Sequence, residues 1–168
     1  AIRQAKVRAA TDARLRLEVM DIGALTFPPA CFDAIISIDT LYFTDLTQTI
    51  GNLAAILAPG GRMLIYYSHG VDPEHPRETF DRATLPAHNT PLAQALACHH
   101  LSWQAWDVTA ADYCHARLKL QVIEELRAAL AAEGNSFLYD NRAGEARGVM
   151  AAIDAGLHAR YLYRATPG

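Results

Sequence analysis

The chain has 168 residues, of which 51% are hydrophobic and 20% charged, and its formal net charge is −3. That is the composition of one soluble globular domain, large enough to bury roughly 70% of its extended-chain surface. The slightly acidic balance, with no basic block, argues against nucleic acid, and no apolar run approaches the roughly 20 residues of a membrane span.

In chain order, Ala1 to Ala13 reads as the end of a helix, with Ile2, Ala5, Ala9 and Ala10 on one side. LRLEVM, Leu15 to Met20, reads as a strand with Asp21-Ile22 at its carboxyl end. Phe32 to Ile38, FDAIISI, is a short apolar run with the pattern of a buried strand. Leu46, Ile50, Leu53 and Leu57 then recur at helical spacing behind a Thr44-Asp45 start signal. Pro59-Gly60-Gly61 ends that helix, because proline lacks an N–H and glycine accepts left-handed torsions. Arg62 to Tyr67 is the next strand, so strand, helix and parallel strand form a right-handed crossover.

The second half starts with loop composition from Ser68 to Asn89, carrying Gly70, Pro73, Pro76 and Pro86. Thr90 followed by Pro91 is a strong helix start, predicting a helix to about His100. Leu101 to Val108 alternates as a strand, placing Trp103 and Trp106 on opposite faces. Thr109-Ala-Ala-Asp112 reads as a capping pattern that opens one long helix. Its stripe is Tyr113, Ala116, Leu120, Ile123, Leu126 and Leu130, with Gly134-Asn135 as the stop and a length of ~36 Å. A second helix is expected from about Ala143 to Ala155, stopped by Gly156, and RYLYR at Arg160 to Arg164 is a final strand.

The FD strand, the PGG turn and the spacing between them resemble the middle of a class I S-adenosylmethionine-dependent methyltransferase. Leu25-Thr26-Phe27-Pro28 is similar to the L-x-F-P segment that leads into that strand in the family. The resemblance covers 1–68 well and the remainder loosely. It implies an α/β fold: a Rossmann-like methyltransferase sheet lacking its first two strands, with a helical cap inserted between the last two. No Gly-x-Gly occurs, and the chain opens at Ala1 in mid-helix. The expectation is therefore a single domain truncated at its amino end. Within it, 1–68 form the cofactor-side core, 69–108 a lid loop, helix and strand, 109–158 a helical cap, and 159–168 the last strand and tail.

The implied activity is methyl transfer from S-adenosyl-L-methionine to a small-molecule acceptor, with this fragment alone expected to be inactive. Ligands of open α/β sheets collect outside the carboxyl ends of strands. By resemblance, Asp21, Ile22, Ile38 and Leu41 are the cofactor-binding residues. Asp39, at a strand's carboxyl end, and His69, with an ordinary pKa near ~6.5, are the catalytic candidates. Tyr42, Tyr67, Trp106, Tyr113 and Arg142 are the candidates for binding the acceptor. Asp33 sits at the wrong end of its strand for chemistry. Cys98-His99-His100 lacks the second ligand cluster a structural zinc needs, so no metal is expected. Cys31, Cys98 and Cys114 are widely separated, which fits a reducing cytoplasm without disulfides. The alternative from a different class is a non-catalytic interaction domain that forms a homodimer through the edge of the Phe32 to Ile38 strand.

Overall fold

The computed structural model describes residues 2–9, 12–71 and 77–168. Ala1, Ala10, Pro73 and Pro76 of the sequence reading lie outside them. The chain runs α1 (Ile2–Ala9), β1 (Phe32–Ile38), α2 (Leu46–Ile56), β2 (Leu57–Gly70), α3 (Pro91–Cys98), β3 (Leu101–Asp107), α4 (Thr109–Glu125), α5 (Arg127–Ala132), α6 (Ser136–Asp154) and β4 (His158–Pro167). Three single-turn 3₁₀ helices lie between Arg77 and Asn89.

The strands form one sheet in the order β1-β2-β4-β3. β1 and β2 are parallel, while β4 is antiparallel to both β2 and β3. The crossover through α2 is thus the one the sequence predicts, and β4 returns between β2 and β3 after a helical excursion. α2 starts where Asp45 accepts a hydrogen bond from the Gln48 N–H, and α3 where Thr90 accepts from Ala93 N–H with Pro91 behind it. α2 ends at Ile56, before the Pro59-Gly60-Gly61 expected to stop it, because Leu57 already belongs to β2; the Ala58–Gly61 stretch bulges out of register with β1, Gly60 taking φ 76°.

One side of the sheet carries the main core. Met63, Ile65 and Tyr67 of β2 share that side with Ala165, Tyr163 and Tyr161 of β4, their register partners. Ile50, Leu53 and Ile56 of α2 and Leu92 and Leu96 of α3 close over them. Burying each such aliphatic side chain contributes roughly 1.5–3 kcal/mol. On the opposite side stand Leu64, Tyr66, Ser68, His158 and Arg160, where α4 and α6 approach the sheet.

Four further expectations are corrected. Leu15 to Met20 is not a strand: it is irregular, with Leu15 57% and Val19 81% exposed. A strand needs a neighbour for its backbone groups, and no described strand lies beyond β1 to provide one. For the same reason β1 is not a buried strand; Ile36 and Ile38 are exposed and only Ser37 is buried. The long helix breaks at Leu126 into α4 and α5, and its partner α6 begins at Ser136, well before Ala143. The capping pattern at Thr109 does not form either. The Thr109 hydroxyl accepts from Arg160 N–H, and Asp107 accepts from Thr109 N–H instead.

Candidate active site

The parallel crossover brings the carboxyl ends of β1 and β2 to one edge of the sheet, and the loops that leave them build a polar corner. Asp39 follows β1 with φ 51°, a left-handed conformation that Asp tolerates better than most residues. From there its carboxylate accepts a hydrogen bond from the Tyr42 hydroxyl at 2.8 Å and an ion pair from Arg160 of β4. Ser68 at the end of β2 donates its backbone N–H to the same Tyr42 oxygen at 2.7 Å. Tyr42 has one proton and spends it on Asp39, so the Ser68 hydroxyl, 2.9 Å away, donates to Tyr42 as well. The Tyr42 ring stacks on Tyr67 with centroids 5.3 Å apart. Burial pushes the Tyr67 phenol up to about 12, so it stays neutral at physiological pH.

His69 lies on the same side of the strand as Tyr67, its ring against Phe80 at 5.7 Å and its Nε2 2.8 Å from Thr84 Oγ1. Thr84 gives its own proton to the Asp81 carbonyl. The His69–Thr84 bond therefore runs from imidazole N–H to hydroxyl oxygen. Burial, and secondarily the neighbouring His158, lower the pKa of His69.

Behind this corner Arg160 forms a buried hub. Its Nε donates to Asp112 of α4 at 3.2 Å, its Nη1 meets Asp39, and its guanidinium lies 4.7 Å over the Tyr66 ring. His158 Nε2 stands 3.3 Å from the same Asp112 oxygen. Burial pushes the Asp112 carboxyl up, but the His158 hydrogen bond and the Arg160 charge outweigh it and hold the carboxyl below its ordinary value. For Arg160, too, burial opposes the charge and the two carboxylates more than restore it. The sequence alone gives no signal for this hub. Asp112 reads as a helix cap, and Arg160 and His158 read as strand residues of no special kind.

A cavity of about 1050 Å³ opens between these strand ends and α6. Tyr42, Tyr67, Ser68, His69 and His158 line its sheet side, and Asn141, Glu145 and Val149 its helix side. Gly144 and Gly148, one helical turn apart, also face it, and a Cβ added to either would meet no atom within 4 Å. A glycine inside a helix costs about 0.5–1 kcal/mol relative to alanine. Here the two keep the chamber wide.

Of the residues expected at a site, Tyr42, Tyr67 and His69 line this opening, and Asp39 stands behind Tyr42, whose hydroxyl it accepts from. Asp21 is exposed and accepts from Gly23 N–H at 2.8 Å. Ile22 and Ile38 meet in a separate apolar groove of about 280 Å³ alongside β1. Leu41 is 2% exposed and belongs to the core. Trp106 lies on β3 at the far edge of the sheet, 48% exposed. Tyr113 reaches toward Asp154, and Arg142 pairs with Glu145 at the rim of a small cleft between α4 and α6. These three are outside the large cavity. Among the described residues no group of His, Cys, Asp and Glu side chains is arranged to hold a metal, and no helix is long and apolar enough to cross a membrane.

Residues 1–65 match the family model of the methyltransferase domain. No curated protein matches the sequence. Among solved structures, phosphoethanolamine N-methyltransferase 2 of Haemonchus contortus, bound to phosphomonomethylethanolamine and S-adenosylhomocysteine, is similar with a TM-score of 0.79 at 20% identity, covering 97% of this chain and 39% of that one. Geranyl diphosphate C-methyltransferase of Streptomyces coelicolor A3(2), bound to Mg²⁺, geranyl diphosphate and S-adenosyl-L-homocysteine, gives 0.65 at 17%, covering 98% and 58%. Cyclopropane synthase MmaA2 of Mycobacterium tuberculosis gives 0.64 at 13%, covering 82% and 55%. The chain thus spans about two-fifths to three-fifths of the length of these proteins. With the sequence match over 1–65 and the likeness in architecture over most of its length, the chain carries the fold of the class I methyltransferases.

Proposed function

We propose that this chain is the acceptor-side part of a methyltransferase that uses S-adenosyl-L-methionine and a small-molecule acceptor, and that a preceding segment completes its cofactor site. The observation that carries the reading is the roomy cavity at the strand ends, walled by Tyr42, Tyr67, His69 and α6. The cofactor supplies a methyl group on a positively charged sulfur, a good leaving group. The residues present fit one side of that molecule. The apolar groove beside β1, with Ile22 and Ile38, offers a wall for a flat ring, and Asp21 stands exposed next to it to accept from an amino group. Tyr42, Tyr67 and His69 then hold the acceptor, and α6 excludes water, which is most of what an in-line methyl transfer asks of a protein.

Calorimetric titration tests both halves of the reading. The 168-residue chain should bind S-adenosyl-L-methionine weakly or not at all, and the same chain extended by its upstream coding residues should bind it well. Tight binding by the short chain sinks the idea of a missing segment. No binding by the longer protein sinks the methyltransferase reading.

A second reading has its own observation. The outer edge of β1 has no described strand beside it, and Ile36 is 67% and Ile38 60% exposed there. Unpaired strand edges recruit other strands, so this reading makes the chain an association module that dimerises through β1. Sedimentation equilibrium at tens of micromolar should then show a dimer, and a monomer rules it out.

A further inference from the structure

We infer that the proton leaving the methyl acceptor is taken by His158, held for that task by Asp112, and that the acceptor is therefore a hydroxyl or amine still carrying a proton. The inference rests on the methyltransferase reading above and adds the chemical class of the acceptor.

Three observations meet at His158. First, its ring is anchored. Nε2 is 3.3 Å from the Asp112 carboxylate, whose ionised form accepts hydrogen bonds only. Nε2 must then carry the proton, which leaves the lone pair on Nδ1. Second, the ring lies close against the backbone of β2. Gly70 is the register partner of His158, and a Cβ built at Gly70 would come within 3.1 Å of Nδ1 and 2.6 Å of the Leu157 carbonyl oxygen. The absence of a side chain at Gly70 leaves the His158 ring its place beside β2. Third, both His158 and Gly70 line the cavity at the strand ends, while the His158 side chain is only 13% exposed. The base is thus reachable from the chamber and largely shielded from bulk water.

His69, the histidine that the sequence singles out, lines the same cavity on less favourable terms. Its Nε2–H is held by the neutral hydroxyl of Thr84, and burial together with His158 disfavours its charged form. His158 instead has a carboxylate at its back, placed to accept from its Nε2–H and fix the ring. The charged and titratable groups facing it are Asp112 from α4, Arg160 from its own strand, His69 from β2, Glu145 from α6, and Arg77 and Glu78 from the loop across the chamber.

The step balances. An oxygen or nitrogen lone pair of the acceptor forms the new bond to the methyl carbon. The carbon–sulfur bond breaks, and its electron pair stays on sulfur. The acceptor's proton passes to Nδ1 of His158 and from there to solvent. Asp112 does not touch the acceptor and serves as a positioning residue.

The experiment has two arms. In the 168-residue chain, ¹⁵N-resolved imidazole spectra should show His158 as the Nε2–H tautomer, and Asp112→Asn should remove that preference. A Nδ1–H tautomer in the wild type overturns the assignment. In the longer protein, once cofactor binding is established, His158→Gln should lower kcat roughly 100-fold or more with little change in KM. It should also abolish the acidic limb of the pH–rate profile, which His69→Gln keeps. Cofactor affinity should survive in His158→Gln, so a failed inference is distinguishable from a failed methyltransferase reading. If His158→Gln keeps the acidic limb, or if tertiary amines are methylated as well as primary ones and the variant matches the wild type on both, the inference falls.

Discussion

Replacing Arg160 by methionine should cost about 3–5 kcal/mol of stability at neutral pH, the usual penalty for leaving a buried charge without its partner. Asp112 is the charge left behind. Its side chain is 6% exposed, and Arg160 is one of the two groups that hold it ionised there. The size of the loss depends on pH in a direction that can be worked out. In the wild type the folded carboxyl lies below its unfolded value, ordinarily about 3.9. The stabilisation is therefore complete above that unfolded value and drains away as the pH falls through the folded one. In the Arg160→Met protein burial is no longer outweighed to the same degree. The carboxyl moves up and gains stability by taking a proton. The gap between wild type and variant should accordingly be widest near pH 7 and shrink toward pH 4. Urea unfolding at both pH values measures it, and an equal gap at the two would show that Asp112 is not the source. The same substitution frees Asp39, so Tyr42 loses part of its anchoring at the cavity mouth even where the fold survives.

The second large effect lies in the core. Leu92→Ala should destabilise the protein by about 2–5 kcal/mol, which is transfer energy plus the cavity left behind. Leu92 is 0% exposed in the first turn of α3, packed in the cluster that joins α2 and α3 to the sheet. Small domains have only about 5–15 kcal/mol in total, so the melting temperature should fall by roughly 5–15 °C. Leu118→Ala is the control. Leu118 is 57% exposed on α4, and its truncation should stay within about 0.5 kcal/mol. Calorimetric melting of the two variants decides the matter, and comparable losses would show that the core has been misplaced.

The contrast between those two leucines shows what the sequence could reveal. Periodicity and caps are local, so α2 behind Asp45, α3 behind Thr90-Pro91, and the strands β1 and β3 are all legible in the order of the residues. The alternation of β2 says that Tyr66 and Tyr67 face opposite sides, but not that Tyr67 is the one facing the core. Leu15 to Met20 has an equally strand-like pattern and forms none, because pairing depends on what lies alongside and no local pattern carries that. The candidate site divides in the same way. Asp39, Tyr42, Tyr67 and His69 are found by the rule that function gathers at strand ends. Trp106, Tyr113 and Arg142 are aromatic or charged but lie on other surfaces. Asp112, His158 and Arg160 are far apart in the chain, and only antiparallel pairing of β4 with both neighbours puts them in one place.

That pairing also governs the order in which the molecule can assemble. Among the described residues, β4 is the latest of the four strands in the chain, yet it occupies an interior position, and β3 has no other neighbour in the sheet. Until residues 158–167 are available, β3 has no backbone partner, and the helical excursion between them must be made first. Contacts that close over such long stretches slow folding. During synthesis on the ribosome, the half of the sheet around β1 and β2 can form while β3 waits. The amide protons of β3 should therefore be among the last in the sheet to gain protection during refolding.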